Sequence, residues 1–286
     1  MYRVESEVTF SEFLQRNRWH VLMLLLCIAV TYRNVVPGMV SDWDNDPNYS
    51  HGFLVPLIST YFVWQSWAQI RNIKVRPSLF GLLVVVGSLA LLILGYVGTE
   101  YYTMRSSLVF LLAGVILFWC GWAILRALAL PVGFLLFMVP LPYIVYDAVA
   151  FPLKLMVAKF SVFSLKMLGV VVWRDGNIIR FPQTVLEVAD ACSGLRSLMS
   201  LLALAVAYAF ISQTSNLKRT VLVLSAIPIA IFTNMVRVIV TGILAQYYGA
   251  AAAEGFFHEF AGFVVFAVAM VLLFLFGMLL HRWGKS

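Results

Sequence analysis

Stretches of about twenty apolar residues recur along this chain, and that recurrence narrows the possible folds more than any motif does. Inside a bilayer every backbone N–H and C=O must find its partner within the protein, so an apolar stretch of that length has to be a spanning helix. The composition agrees, with 62% hydrophobic residues, 12% charged residues and a mean hydropathy of +0.93, far outside the range of soluble domains. The segments fall near 19–40, 52–68, 79–98, 107–125, 127–146, 194–212, 220–245 and 260–280. The sequence thus predicts an all-α polytopic membrane protein with about eight transmembrane helices. These form a single integral membrane domain over residues 1–286, with little room for a separate soluble domain. Arg33 and Asn34 interrupt the first segment, and Glu5, Glu7 and Glu12 flank it with no A-x-A site to close it. It is expected to remain as an anchor.

Lys and Arg in the short loops set the orientation. Arg3, Arg16, Arg18, Arg71, Lys74, Arg76, Lys218, Arg219, Arg282 and Lys285 all fall on one side of an eight-helix arrangement, the cytoplasmic one, with both termini there. Asp42, Asp44, Asp46, the stretch at about 147–191 and the loop from Tyr247 to His258 fall on the other. The net charge of +7 is in this light a topology signal and makes no case for nucleic acid. Within the long outer stretch, Phe151 to Gly169 mixes Lys154, Lys159 and Lys166 with apolar residues, and either lies in the interface or dips into the membrane. After it, β-branched residues flank Asp175-Gly176, which predicts a small periplasmic β-hairpin leading to Cys192.

Three cysteines are too few for a disulfide framework. Cys27 and Cys120 lie in apolar segments, where a buried small hydrophobe is the expected role. Cys192 stands at the mouth of a helix, where unpaired N–H donors and a partial positive charge favour the thiolate. Asp190 or Ser193 can cap that helix, Gly194 leaves room for a substrate backbone, and Arg196, four residues on, shares a helical face with the thiol. Arg237 sits well inside the seventh segment with Asn234 on the same face. A charge at that depth costs at least a few kcal/mol, so it is expected to face a partner or a cavity. His258 precedes the last segment on the same side as Cys192, with Glu254 or Glu259 beside it to orient the ring, and can exchange protons near neutral pH. An interfacial anchor for Arg196, a structural ion pair for Arg237 and a polar flank for His258 remain open alternatives. Asp42, Asp44 and Asp46 alternate as at the start of an EF-hand, yet Pro47 stands where glycine is needed and no glutamate closes the loop, so no metal is expected. His51 either lines a substrate site or satisfies a neighbouring polar group.

The run Tyr-Ser-His-Gly-Phe-Leu-Val-Pro from Tyr49, Pro-Leu-Pro at 140 to 142, Ala-Cys-Ser-Gly-Leu-Arg-Ser around Cys192, Asn-Met-Val-Arg at 234 to 237, and His258 occur in the order found in exosortases. The chain resembles the bacterial branch of that family from about Asn48 to the last helix. The resemblance implies a multipass cysteine protease or transpeptidase of the bacterial inner membrane, with Cys192, Arg237 and His258 as its catalytic set and an active site on the periplasmic side. It implies as substrates exported proteins carrying a C-terminal PEP-CTERM-type tail, made of a Pro-Glu-Pro type motif, a membrane helix and a basic cluster, in protein sorting linked to extracellular polysaccharide. Its partners are then the sorting-signal helix, membrane lipids and an unknown amine acceptor, with no cofactor. A reading from another class stands beside it, in which Asn234 and Arg237 line the path of a transporter or polysaccharide-export subunit. No internal repeat and no pair of broken helices in two halves supports that reading.

Overall fold

The computed structural model describes residues 8–182, 185–188, 195–248 and 256–283, apart from the side chains at 187, 248 and 256–259. The chain divides into two compact units, residues 1–142 and 143–286.

Among its described residues the first unit is built of helices, α1 (Phe10–Arg16), α2 (Arg18–Thr31), α3 (Val35–Asn45), α4 (Leu54–Ile70), α5 (Phe80–Val97), α6 (Tyr101–Cys120), α7 (Trp122–Ala127) and α8 (Ala129–Phe134), with 3-10 turns at Ser50–Phe53 and Leu135–Met138 and one isolated β-bridge between Thr9 and Lys74. Thr9 and Glu12 form a reciprocal capping box that starts α1. Prolines explain several of the other starts. Pro37, Pro56 and Pro131 each occupy the third position of α3, α4 and α8, where the missing N–H would have had no partner in the helix. The apolar segment expected at 19–40 is accordingly bent by 65° between α2 and α3. The one expected at 127–146 is divided among α7, α8 and a 3-10 turn.

No residue of α2 is buried, so Cys27 is exposed, whereas Cys120 is buried as expected. An apolar helix that finds no protein partner turns its surface to lipid, which the hydrophobicity of Cys27 alone does not distinguish from burial. The tightest pairing is α5 on α6. A Cβ on Gly81 would stand 2.2 Å from the Phe118 nitrogen, and one on Gly114 2.9 Å from the Val85 nitrogen, a backbone approach that only small residues permit.

The second unit begins with α9 (Tyr143–Met167), which continues through Pro152. Three strands follow, β1 (Trp173–Asp175), β2 (Ile178–Arg180) and β3 (Val185–Glu187), in an antiparallel sheet of order β1-β2-β3. The expected hairpin is present, turning through Gly176 at φ 62°. The third strand was not legible, because Val-Leu-Glu is too short to show an alternation pattern. Three long helices complete the unit: α10 (Leu195–Ser212), α11 (Asn216–Tyr248) and α12 (Phe256–Arg282). Leu201, Ala205 and Ala209 of α10 interlock with Leu222, Ala226 and Ala230 of α11 and with Ala269, Leu273 and Leu280 of α12. Alanine at successive turns lets the three backbones approach.

Among the described residues, six helices are long and apolar enough to cross a membrane, or seven if α2 and α3 form one bent span. The chain is therefore a multipass membrane protein. The expected eight is not reached, since α4 has 17 residues and the 127–146 segment is broken by proline. The span that replaces the latter is α9, whose stretch from Phe151 the sequence leaves between an interfacial position and a dip into the membrane.

Candidate functional site

The lengths of α10 and α11 decide which residues meet. They run antiparallel through a turn at 213–215, and α10 has 18 residues against 33 in α11. At about 1.5 Å per residue in both helices, the first turn of α10 comes level with Ala230 to Thr233 of α11, and Asn234 to Arg237 form the next turn beyond it. The other ends are tied together: Lys218 Nζ donates to the Trp283 carbonyl, Gln213 Nε2 donates 2.9 Å to the Gly277 carbonyl, and His281 Nδ1 lies 3.1 Å from the Ser212 carbonyl. These ties set the register of α12 against the α10–α11 hairpin.

In that register Arg237 reaches α12. Its guanidinium lies on the backbone of Gly262, close enough that a Cβ there would stand 3.3 Å from Nη2, 3.4 Å from Cζ and 3.5 Å from Nη1. Asn234, on the same face of α11, is 2% exposed. Arg237 is half-buried, about eleven residues, or roughly 16 Å, before the end of α11. Arg196 is half-buried in the first turn of α10. The structure therefore brings Asn234 and Arg237 within about one and a half helical turns of the level of Arg196 in the second unit. It also adds Gly262, which periodicity analysis passes over because a glycine in an apolar run resembles filler. Its signal is its spacing, four residues after His258 and so on the same helical face. Cys192, Ser193 and Gly194 lie outside the described residues, as do the side chains of His258 and Glu259.

The sheet and α9 flank the same end. Ile179, Phe181, Val172 and Val188 pack with Val157, Ala158, Val162 and Leu165 of α9 and with Val238 of α11, one residue from Arg237. The Phe181 ring seats on Gly242, where a Cβ would come within 2.9 Å of it. The first turns of α9, through Tyr146 and Ala150, pack on Leu195, Leu198 and Met199. Arg174 donates to the Gly176 carbonyl at 3.2 Å and Arg180 pairs with Asp175 at 3.3 Å, both in exposed positions.

His51 belongs to the first unit. Its Nε2 lies 3.2 Å from the Phe137 carbonyl, and Trp43 Nε1 donates 2.8 Å to the Met138 carbonyl beside it. Burial holds the imidazole below its ordinary pKa, outweighing its bonds to the backbone of Phe137 and Asn48, which act the other way. A cluster the sequence analysis missed stands at the same end. Arg105, 7% exposed, forms a 2.7 Å ion pair with Asp42, and its guanidinium lies 5.4 Å from the Tyr101 ring centre. Glu100 caps α6 through the N–H groups of Tyr102 and Thr103. Burial pushes its carboxyl up, but hydrogen bonds from Thr103 and Tyr102 and the charge of Arg105 together hold it below the usual carboxylate value. Arg105 is hidden in the sequence because the apolar segment reads as starting near 107, which leaves it in the flank, whereas the helix starts at Tyr101.

Comparison with known proteins gives the class. The chain matches the family described as transmembrane exosortase (Exosortase_EpsH) over residues 43–275. It belongs to that family. Among curated proteins and among solved structures nothing matches.

Proposed function

We propose that this protein is a membrane-embedded cysteine protease or transpeptidase that cleaves the C-terminal PEP-CTERM-type tail of exported proteins, at the periplasmic face of a bacterial inner membrane. The observation that carries the proposal is the seat of Arg237. A guanidinium held inside a helix bundle stands one helical turn from the position of His258 and about one turn beyond the level at which α10 starts. Cys192 precedes that start by three residues, a distance the chain spans in at most about 11 Å.

In the proposed reaction the Cys192 thiolate attacks the scissile carbonyl, forming a C–S bond and a tetrahedral oxyanion. Arg237 donates to that oxyanion as its charge develops. The intermediate collapses to a thioester as the C–N bond breaks, and His258 gives its proton to the departing amine. The neutral imidazole then takes a proton from an incoming amine or water, which attacks the thioester and releases the thiolate. Arg196 is proposed to hold the thiolate by charge, Ser193 and Gly194 to offer backbone donors, Asn234 to orient Arg237, and Glu259 to orient His258. The tail's motif carries a glutamate, which Lys154, Lys159, Lys166, Arg174 and Arg180 around the sheet and α9 are proposed to attract. Its helix is proposed to dock laterally, its basic cluster staying cytoplasmic. His51 is proposed to support substrate binding, and membrane lipids and an amine acceptor complete the partners.

The test is processing of a reporter with a Pro-Glu-Pro, helix and basic-cluster tail, coexpressed with wild type, Cys192→Ser, Arg237→Ala or His258→Ala at matched membrane levels. Wild type is expected to cleave it and all three variants to lose cleavage by at least about 10²-fold. An intact tail with wild type, or cleavage that persists in Cys192→Ser, overturns the proposal. A transporter would tolerate Cys192→Ser.

A further inference from the structure

We infer that Gly262 is a positioning residue, whose lack of a side chain forms the seat that fixes the Arg237 guanidinium. The inference rests on the proposed role of Arg237 as oxyanion donor and concerns how that role is kept precise. Arginine has a long, flexible stem, so a guanidinium standing in a poorly hydrated bundle needs a surface that selects one placement. Three of its atoms, Nη2, Cζ and Nη1, lie at nearly equal distance from the point where a Cβ of Gly262 would stand, 3.3, 3.4 and 3.5 Å. The group is therefore laid against the α12 backbone at this point, and not merely touched at one tip.

Two features make this placement specific. The ties of Lys218 to Trp283 and of Gln213 to Gly277 lock α12 against the hairpin at the far end, so Gly262 cannot slide past Arg237. Gly262 also lies four residues after His258 on α12, which puts the seat and the proposed proton donor on one helical face. One backbone segment thereby sets the position of both proposed partners of Cys192.

A methyl group at Gly262 does not fill a void. At 3.3 Å from Nη2 it presses the guanidinium away by a few tenths of an ångström, and a larger side chain moves it by an ångström or more. Donors of this kind act through geometry, and a misplacement of about 1 Å costs on the order of 10² in rate.

The experiment compares Gly262→Ala and Gly262→Leu with wild type in the full-length protein in detergent micelles, each also in an Arg237→Ala background. Reporter cleavage and thermal unfolding are both read. For Gly262→Ala the turnover is expected to fall by about 3- to 10-fold with KM changed less than about 2-fold, and for Gly262→Leu by about 10² or more. Unfolding provides the second arm. Gly262→Leu is expected to lower Tm in the wild-type background and to lower it less when Arg237→Ala has vacated the seat. Wild-type turnover in Gly262→Ala together with an equal Tm drop in both backgrounds overturns the inference, as does a loss expressed in KM alone. If wild type itself leaves the reporter intact, the proposed function fails, and the Tm cycle still decides whether Gly262 seats Arg237.

Discussion

Buried polar groups with a specific partner govern the residue scale. His51 is held neutral by burial, with its Nε2 at the Phe137 carbonyl. Because its folded pKa is lowered, the unfolded chain binds the extra proton first. The stability it contributes is whole above the ordinary histidine value of about 6.5 and is lost as pH falls from there through the lowered folded value. Thermal unfolding in micelles between about pH 7.5 and 5.5 is expected to show a steeper loss for wild type than for His51→Asn. Parallel curves would remove His51 as the cause. Arg237 and Asn234 could be found in the sequence because a charge deep in an apolar segment has to be explained. Arg105 could not, since whether it is flank or interior depends on where a helix begins, and Glu100 supplies that start only through a cap seen in three dimensions.

Among the elements, the sheet depends most on a single contact. Phe181 is 3% exposed, with its ring on Gly242 and its neighbours Ile179 and Val188 packed on α9 and α11. Truncating a buried phenylalanine typically costs about 3–5 kcal/mol, and here that loss falls on the docking of three short strands. Phe181→Ala is therefore expected to speed amide exchange across 173–180 while α10 to α12 keep their protection. Unchanged exchange in the strands would show that the remaining apolar contacts hold the sheet. The hairpin was legible from its glycine turn and β-branched flanks. The helix before it was legible only as an open choice between interface and membrane, because its three lysines read as interfacial while Val157, Ala158, Val162 and Leu165 form a buried stripe at helical spacing. The breaks after α2 and α7 were in principle legible. Pro37 and Pro131 stand inside the apolar segments that the sequence analysis drew as continuous, and hydropathy alone does not register them.

Charge is sorted by end in each unit, and this belongs to the scale of the whole molecule. In the first, Val8 to Ser11 pair with Arg71 to Val75, and Arg76 bonds to Cys120, so Arg16, Arg71, Lys74 and Arg76 gather at one end. Asp42 and Glu100 meet Arg105 at the other. In the second, Lys218, Arg219 and Arg282 gather where α10 turns into α11 and α12 ends, opposite the sheet. Positive-inside sorting then predicts that, in a cysteine-free background, Lys74→Cys and Lys218→Cys resist an impermeant maleimide applied outside intact cells. Asp46→Cys and Asp175→Cys are expected to react. Labelling of Lys218→Cys from outside would refute the orientation. Class was legible from composition, whereas the number of spans was not, because it depends on where bends divide an apolar run.

The inequality of α10 and α11 has a further meaning at this scale. Eighteen residues against thirty-three make α10 a ruler. The depth at which it begins is dictated by its residue count from the turn, independently of any side chain at its tip. Chemistry placed there is gauged from the far side of the membrane. Lengthening the ruler by one turn would carry its tip about 5.4 Å farther along α11, from the level of Thr233 to that of Arg237, without altering a residue of the proposed site.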